Sequence, residues 1–315
     1  MSSIKGTSYE EGFGIFNKIH EEKFGTSSSN YLRLFMLNTE NKVFSYDELY
    51  DYILPNITKY VFSRKYLADA ENNPQKRETL VLEALSYLRP VSNPEDSGNG
   101  GELGEILLFL FLEQDLKAPK LFSKVELKTS PSDYVKGADG IHFKFRTTNA
   151  GKKIMQIVIG EAKVKDDLKK GIDEAFKSID EYITHNLQDR NLLDRHILEQ
   201  FVDKEEAAEI KDYILSIPRK KKETVFGIFI GYSIKYDGKN DTIDEYEAKV
   251  SLKNIAQVLS YRNHIISKIN EYKVSNYEFN FYFLPFHNAA RDRQVIMKSL
   301  TAGKPHLAWE NIRNG

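Results

Sequence analysis

Cysteine is missing altogether from this chain, which excludes disulfides and every thiolate metal site. Histidine is sparse. The seven residues His20, His142, His185, His196, His264, His287 and His306 form no H-x-x-x-H or H-E-x-x-H pair, so they read as structural or exposed rather than as a zinc site. No apolar run reaches membrane-spanning length, and Met1-Ser2-Ser3-Ile4-Lys5-Gly6 has no apolar core of a leader, so the expectation is a soluble, cytoplasmic protein without a membrane partner. There is no G-x-S-x-G elbow and no G-K-[ST] phosphate loop, which argues against a serine hydrolase of that type and against intrinsic ATPase activity. An excess of either charge is lacking as well: 45 Lys and Arg balance 46 Asp and Glu. Bulk attraction to a polyanion is therefore weak, and any nucleic acid would be held by local patches or delivered by a partner.

What is present is an ordinary globular composition, 41% hydrophobic and 29% charged, over 315 residues, enough for one large domain or two small ones. Tyr31–Leu37 reads as a strand. Ser45-Tyr46-Asp47-Glu48 has the pattern of a capping box opening a helix towards Ser63, interrupted near Pro55, with Tyr46, Tyr50, Tyr52 and Tyr60 as packing residues. A helix from Pro74 to Tyr87 offers Leu80, Leu82 and Leu85 for burial. The polar, glycine-rich stretch 92–101 reads as a loop or domain seam.

The next helix, Gly101 to about Leu116, is apolar on nearly every face and must be largely buried. Its first turn nevertheless carries Glu102 and Glu105. Acids there complement the helix dipole, and this alone would explain them; the functional alternative is that one, Glu105 in preference, projects from a buried helix into a site. The glycines before them do not make a dinucleotide loop, because Leu103 stands where the last glycine belongs and no strand leads in. Strands follow at Leu121–Leu127, Asp139–Phe145 and Ile154–Val164, then a helix from Asp166 to His185, two inserted helices between Asn191 and Ser216, a strand at Glu223–Ile234, one long helix from about Val250 to Tyr272, a strand at Phe279–Leu284 ending before Pro285, and a closing helix from Ala289 to Leu300. That order predicts an α/β fold with a mixed sheet covered on both faces.

The chemistry concentrates at the end of the third of these strands. The run Ile154–Ile159 reads as apolar on both faces, as a central strand should, yet Glu161 and Lys163 close it. Two residues apart on a pleated backbone, they share one face while Gly160, Ala162 and Val164 take the other. Asp139, in Gly137-Ala138-Asp139-Gly140, supplies a second acid from a neighbouring strand. An isolated E-x-K is usually a surface pair. Placed after a buried run and beside another acid, it is a candidate site for Mg²⁺, a hard cation that one or two carboxylates and substrate phosphate oxygens suffice to hold. Basic patches at Lys163, Lys165, Lys169 and Lys170 and at Arg219-Lys220-Lys221-Lys222 are candidate DNA contacts, although such runs are more often solvated faces.

Taken together, Gly100-Gly101-Glu102-Leu103-Gly104-Glu105, Val125-Glu126-Leu127-Lys128, Lys136-Gly137-Ala138-Asp139-Gly140, Gly160-Glu161-Ala162-Lys163 and the late Phe283-Leu284-Pro285 resemble the PD-(D/E)xK nuclease superfamily. More narrowly, they are similar to the HamA family, the nuclease subunits of Hachiman anti-phage defence systems. The resemblance spans about Gly98 to Leu300 and departs from the superfamily pattern in having no Pro before Asp139. It implies a restriction-endonuclease-like mixed central sheet flanked by helices, with an N-terminal α/β extension over 1–97 serving partner binding and a nuclease domain over 98–315 that carries a helical insertion at about 187–218. It implies Glu105, Asp139, Glu161 and Lys163 as catalytic residues, with Asp139, Glu161, Glu105 and Glu102 towards Mg²⁺, or Mn²⁺ in its place. It also implies DNA as substrate and a superfamily 2 helicase, HamB, as controlling partner in a heterodimer. The rival expectation is a catalytically inactive nuclease-fold subunit that only binds DNA or regulates a helicase.

Overall fold

The computed structural model describes residues 5–25, 29–88, 101–123, 125, 137–148, 151, 153–186, 205, 208 and 223–302. The strands are β1 (Phe16–Lys23), β2 (Tyr31–Leu37), β3 (Thr39–Glu40), β4 (Val43–Phe44), β5 (Lys120–Ser123), β6 (Gly140–Thr147), β7 (Lys153–Lys165), β8 (Glu223–Ser233) and β9 (Glu278–Phe286). The helices are α1 (Tyr46–Val61), α2 (Arg64–Glu71), α3 (Pro74–Leu88), α4 (Gly101–Gln114), α5 (Leu168–Asn186), α6 (Ile243–Ser260), α7 (Arg262–Glu271) and α8 (Ala289–Ala302). Among these residues no helix is long and apolar enough to cross a membrane. The inserted helices expected at 187–218 lie, apart from residues 205 and 208, outside the described residues, as do Arg219–Lys222, Glu126-Leu127-Lys128 and Lys136.

Seven strands form one mixed sheet in the order β1-β2-β9-β8-β7-β6-β5. The centre, β2-β9-β8-β7, is parallel, and β1, β6 and β5 are antiparallel to their neighbours. Helices cover both faces: α4 packs on β7 and β8 from one side, with α8 beside it on the sheet and α1 against both, and α5 packs on the same two strands from the other. This is the restriction-endonuclease-like architecture expected. The parallel strands are buried on both sides, which is why their sequences run Val225-Phe226-Gly227-Ile228-Phe229-Ile230 and Phe279-Asn280-Phe281-Tyr282-Phe283-Leu284 instead of alternating. The N-terminal strands join the same sheet, β2 lying parallel against β9.

Several local expectations need correction. Helix α1 passes through Pro55 without interruption. One backbone donor is lost there, but Tyr52, Ile53, Ile57 and Tyr60 are buried, and the Asn56 side-chain amide donates to the Tyr52 carbonyl at 2.9 Å, so packing and a side chain hold the turn together. Ser45 makes no side-chain cap; Glu48 instead accepts from the Asn38 amide at 2.8 Å. The long helix begins earlier, at Ile243, behind a true capping box of Thr242 and Glu245, and breaks at Tyr261 into α6 and α7. Strand β9 continues through Pro285, which is tolerated because β2 pairs with β9 only from Asn280 to Phe283, so no ladder donor is required of Pro285 on that side. Leu82 points to solvent at 67% exposure, leaving Leu85 as the buried member of its group with Leu80 partly covered. Finally, β7 is not wholly apolar: Gln156 is buried, and its amide donates to Glu223 at 2.9 Å on the adjoining β8 and to Glu278 at 3.1 Å on β9 beyond it.

Candidate active site at the end of the central strand

Helix α4 is the most deeply placed helix, buried at every position from Leu103 to Gln114. It approaches the sheet closely because glycine faces it at the crossing. A Cβ on Gly160 would lie 2.9 Å from Leu108, and one on Gly104 would lie 3.0 Å from Val164 and 3.3 Å from Ala162. The first turn of α4, with Glu105, is thereby pressed against the end of β7. These contacts also fix the faces of β7: Gly160, Ala162 and Val164 meet α4, so Glu161 and Lys163 point to the α5 side, where the Ser178 side chain hydrogen-bonds Glu161.

Strand β6 stands antiparallel to β7 with Gly140 opposite Gly160. The residue before it, Asp139, lies at the strand end beside Glu161. Its backbone amide donates to the Gly160 carbonyl at 2.9 Å, and its carboxylate accepts from the Ala162 amide at 2.8 Å. Both acids are buried, at 8% and 4% exposure. Lys163 Nζ lies 2.5 Å from Glu161 Oε1 and is the more open member of the pair.

Burial, reinforced by the charge of Asp139, pushes the Glu161 carboxyl up to about 8, although Lys163 and Ser178 act in the opposite direction. The desolvation penalty and the like charge together outweigh one ammonium. Such a pair fits a hard divalent cation: two carboxylates from adjacent strands, one of them energetically uncomfortable when ionised, are the donors that Mg²⁺ takes with water and phosphate oxygens. Among the described residues, however, no three or more of His, Asp and Glu converge as a ligand cluster.

Glu105 stands on the α4 side. It faces the same small cavity as Asp139, lined also by Tyr60, Lys120, Ser123 and His142, and is 7% exposed. The Tyr60 hydroxyl donates to Glu105 Oε2 at 2.8 Å. Glu102, one turn earlier and half-buried, reaches the same neighbourhood, since the Tyr60 hydroxyl is pushed well above its usual range by burial first and then by the charges of Glu105, Asp139 and Glu102. Asp139 thus neighbours Glu161 at the strand end and shares a cavity with Glu105, while Glu161 and Glu105 lie on opposite faces of β7.

Three polar residues here escaped the sequence reading. Tyr60 was visible only as one of several packing tyrosines of an amphipathic helix, and all four of those tyrosines are indeed buried. Lys120 carried no signal, being a lysine at the start of a strand, yet it is 1% exposed and donates to the carbonyls of Tyr60 and Phe62. Ser178 was a polar position on α5. Of the histidines, His142 lies in this region but plays a structural part: its Nδ1 donates to the Ala118 carbonyl at 2.8 Å, and burial pushes it down to about 4, so it is neutral. His264 bonds Asp173 at 2.6 Å on the far side of α5, and His196 and His306 lie outside the described residues.

A family model described as HamA matches residues 14–300. No curated protein matches the chain.

Proposed function

The chain belongs to the HamA family of Hachiman-associated defence proteins, and on that premise we propose that it is a metal-dependent deoxyribonuclease controlled by a helicase partner, HamB. The observation that carries this reading is the buried Asp139/Glu161 pair with Lys163 at the end of the central strand. Structural carboxylates gain nothing from being buried against one another, whereas a cation site requires it.

Asp139 and Glu161 would hold Mg²⁺, or Mn²⁺, with Glu105 and Glu102 approaching from the first turn of α4. When bound, the cation would neutralise charge on the scissile phosphate and lower the pKa of a water beside it. Ala162, by donating its amide to Asp139, fixes that carboxylate against the strand carrying Glu161, so the two acids keep their spacing. Ser178 restrains Glu161 from the α5 side. Lys163, held beside Glu161 and open to solvent on one side, would orient the attacking water and compensate charge on the phosphate. Because the chain is nearly neutral overall, the helicase would supply much of the affinity for DNA and deliver the substrate.

The absence of a three-ligand cluster among the described residues favours a second reading, a nuclease fold kept only for binding. Plasmid degradation separates the two. The full chain, alone and with its helicase, is assayed with EDTA, Mg²⁺ or Mn²⁺ beside Lys163→Ala. Cleavage that requires a divalent cation and is lost in Lys163→Ala supports the enzyme. Cleavage persisting in Lys163→Ala removes the assigned mechanism, and DNA binding without cleavage in every setting supports the binding subunit.

A further inference from the structure

Three polar side chains, Tyr60, Glu105 and Lys120, meet in a region where aromatic and aliphatic residues would pack at lower cost. Each is almost completely shielded, at 1%, 7% and 1% exposure. A buried ammonium is costly unless its donors are satisfied. Lys120 Nζ meets that need by donating to the carbonyls of Tyr60 at 3.0 Å and Phe62 at 2.8 Å, the end of α1, where unsatisfied carbonyls concentrate the negative pole of the helix. The ring of Phe109 lies 5.9 Å from the same nitrogen. The last turn of α1 is therefore clamped from β5. From that turn the Tyr60 ring leans on Phe109, with centroids 5.9 Å apart, and its hydroxyl donates to Glu105 Oε2.

We propose that Tyr60 is a positioning residue of the site, its hydroxyl fixing the Glu105 carboxylate beside Asp139 while Lys120 fixes the turn that carries Tyr60. This rests on the nuclease reading of Glu105 and extends it: helix α1, which precedes the segments resembling the nuclease superfamily, completes the site. A packing role alone would need the ring but not the hydroxyl, and would not need a lysine holding two backbone carbonyls of the same turn. The bond favours one orientation of the carboxylate, with Oε2 towards Tyr60 and Oε1 on the Gly101 side, 3.9 Å from where a Cβ on that residue would be.

The test uses the full chain with its helicase and the variants Tyr60→Phe, Glu105→Gln and their combination. Two quantities are read: the rate of Mg²⁺-dependent cleavage of labelled DNA, and the Mn²⁺ concentration at the midpoint of a thermal-shift titration. Tyr60→Phe keeps the ring. It is expected to lower kcat and raise the Mn²⁺ midpoint by about tenfold each, as losses of groups that orient a ligand do, with KM for DNA within about twofold and no further loss when added to Glu105→Gln. Wild-type cleavage with an unchanged Mn²⁺ midpoint and kcat in Tyr60→Phe overturns the positioning role and leaves the nuclease reading standing. A loss that adds in full to that of Glu105→Gln likewise overturns it. No cleavage by the wild type, but a Mn²⁺ midpoint that moves in Tyr60→Phe, overturns the nuclease reading and keeps the positioning role. Neither cleavage nor a Mn²⁺ shift in the wild type overturns both.

Discussion

Asp139 accepts a hydrogen bond from the backbone amide of Ala162 at 2.8 Å, so a carboxylate at the start of one strand is tied to the strand that carries Glu161 and Lys163 on either side of that amide. The sheet backbone therefore holds the Asp139 carboxylate, while Lys163 and Ser178 hold that of Glu161.

The first consequence concerns pH. Burial and the nearby Asp139 raise Glu161 to about 8 in the folded chain, against an ordinary carboxylate in the unfolded one. A carboxyl raised by folding stabilises fully below its unfolded pKa, and that contribution is lost as pH rises towards its folded value. Without divalent cations, Glu161→Gln should match the wild type near pH 5 and be the more stable by a few kcal/mol near pH 8.5, since each pH unit between the unfolded and folded values costs the wild type about 1.4 kcal/mol. Urea midpoints of both proteins in EDTA at the two pH values measure this, and equal midpoints at pH 8.5 would contradict it.

His142 gives the opposite slope on the acid side. Burial lowers it to about 4, so between its unfolded pKa of about 6.5 and that value the unfolded chain binds more protons and stability falls as pH falls. The loss should be about 3–4 kcal/mol at most, using roughly 1.4 kcal/mol per pH unit. His142→Asn retains a donor towards the Ala118 carbonyl and should show a flatter dependence between pH 6.5 and 4.5, read from denaturation midpoints.

The Leu112 side chain of α4 fills the space over Gly227: a Cβ there would stand 2.5 Å from Leu112 Cδ2, so the leucine would have to shift. Gly227→Ala should destabilise by about 1–3 kcal/mol through overpacking. Adding Leu112→Ala should recover part of that loss, although Leu112→Ala alone destabilises. A double-mutant cycle in urea gives the coupling, and strict additivity would show that the helix moves aside freely.

Glu113 anchors the N-terminal residues. It is 3% exposed and accepts from the amides of Thr7 at 2.7 Å, Ser8 at 2.5 Å and Lys120 at 2.9 Å. Glu113→Ala leaves these donors without their acceptor, each unmade bond costing about 1–3 kcal/mol. Limited proteolysis should then cut near Lys5 well before the sheet unfolds. Wild-type resistance there in the variant would mean that the remaining bonds, from Gln114 to Ser8, from Arg64 to the Lys5 carbonyl and from the Tyr9 amide to Asn56, hold the segment.

Residue order alone dictates the succession of strands and helices, because the parallel strands at Val225 and Phe279 and the predominantly apolar α4 cannot be anything but interior. It also dictates that Glu161 and Lys163 share a face, since a period of two leaves no other arrangement. Packing in three dimensions settles the rest. Pro55 and Pro285 look like breaks, and only the packing of α1 and the short pairing of β2 with β9 make them harmless. Gly104 has no assigned part in its helix from sequence, and only the closeness of α4 to Ala162 and Val164 gives it a purpose. Tyr60 and Lys120 are far in sequence from the groups they adjoin; their partners come from elements 45 and 60 residues away, and nothing in local composition encodes a contact of that range. Periodicity is a property of neighbours along the chain, whereas a site is assembled from residues made neighbours only by burial of the core.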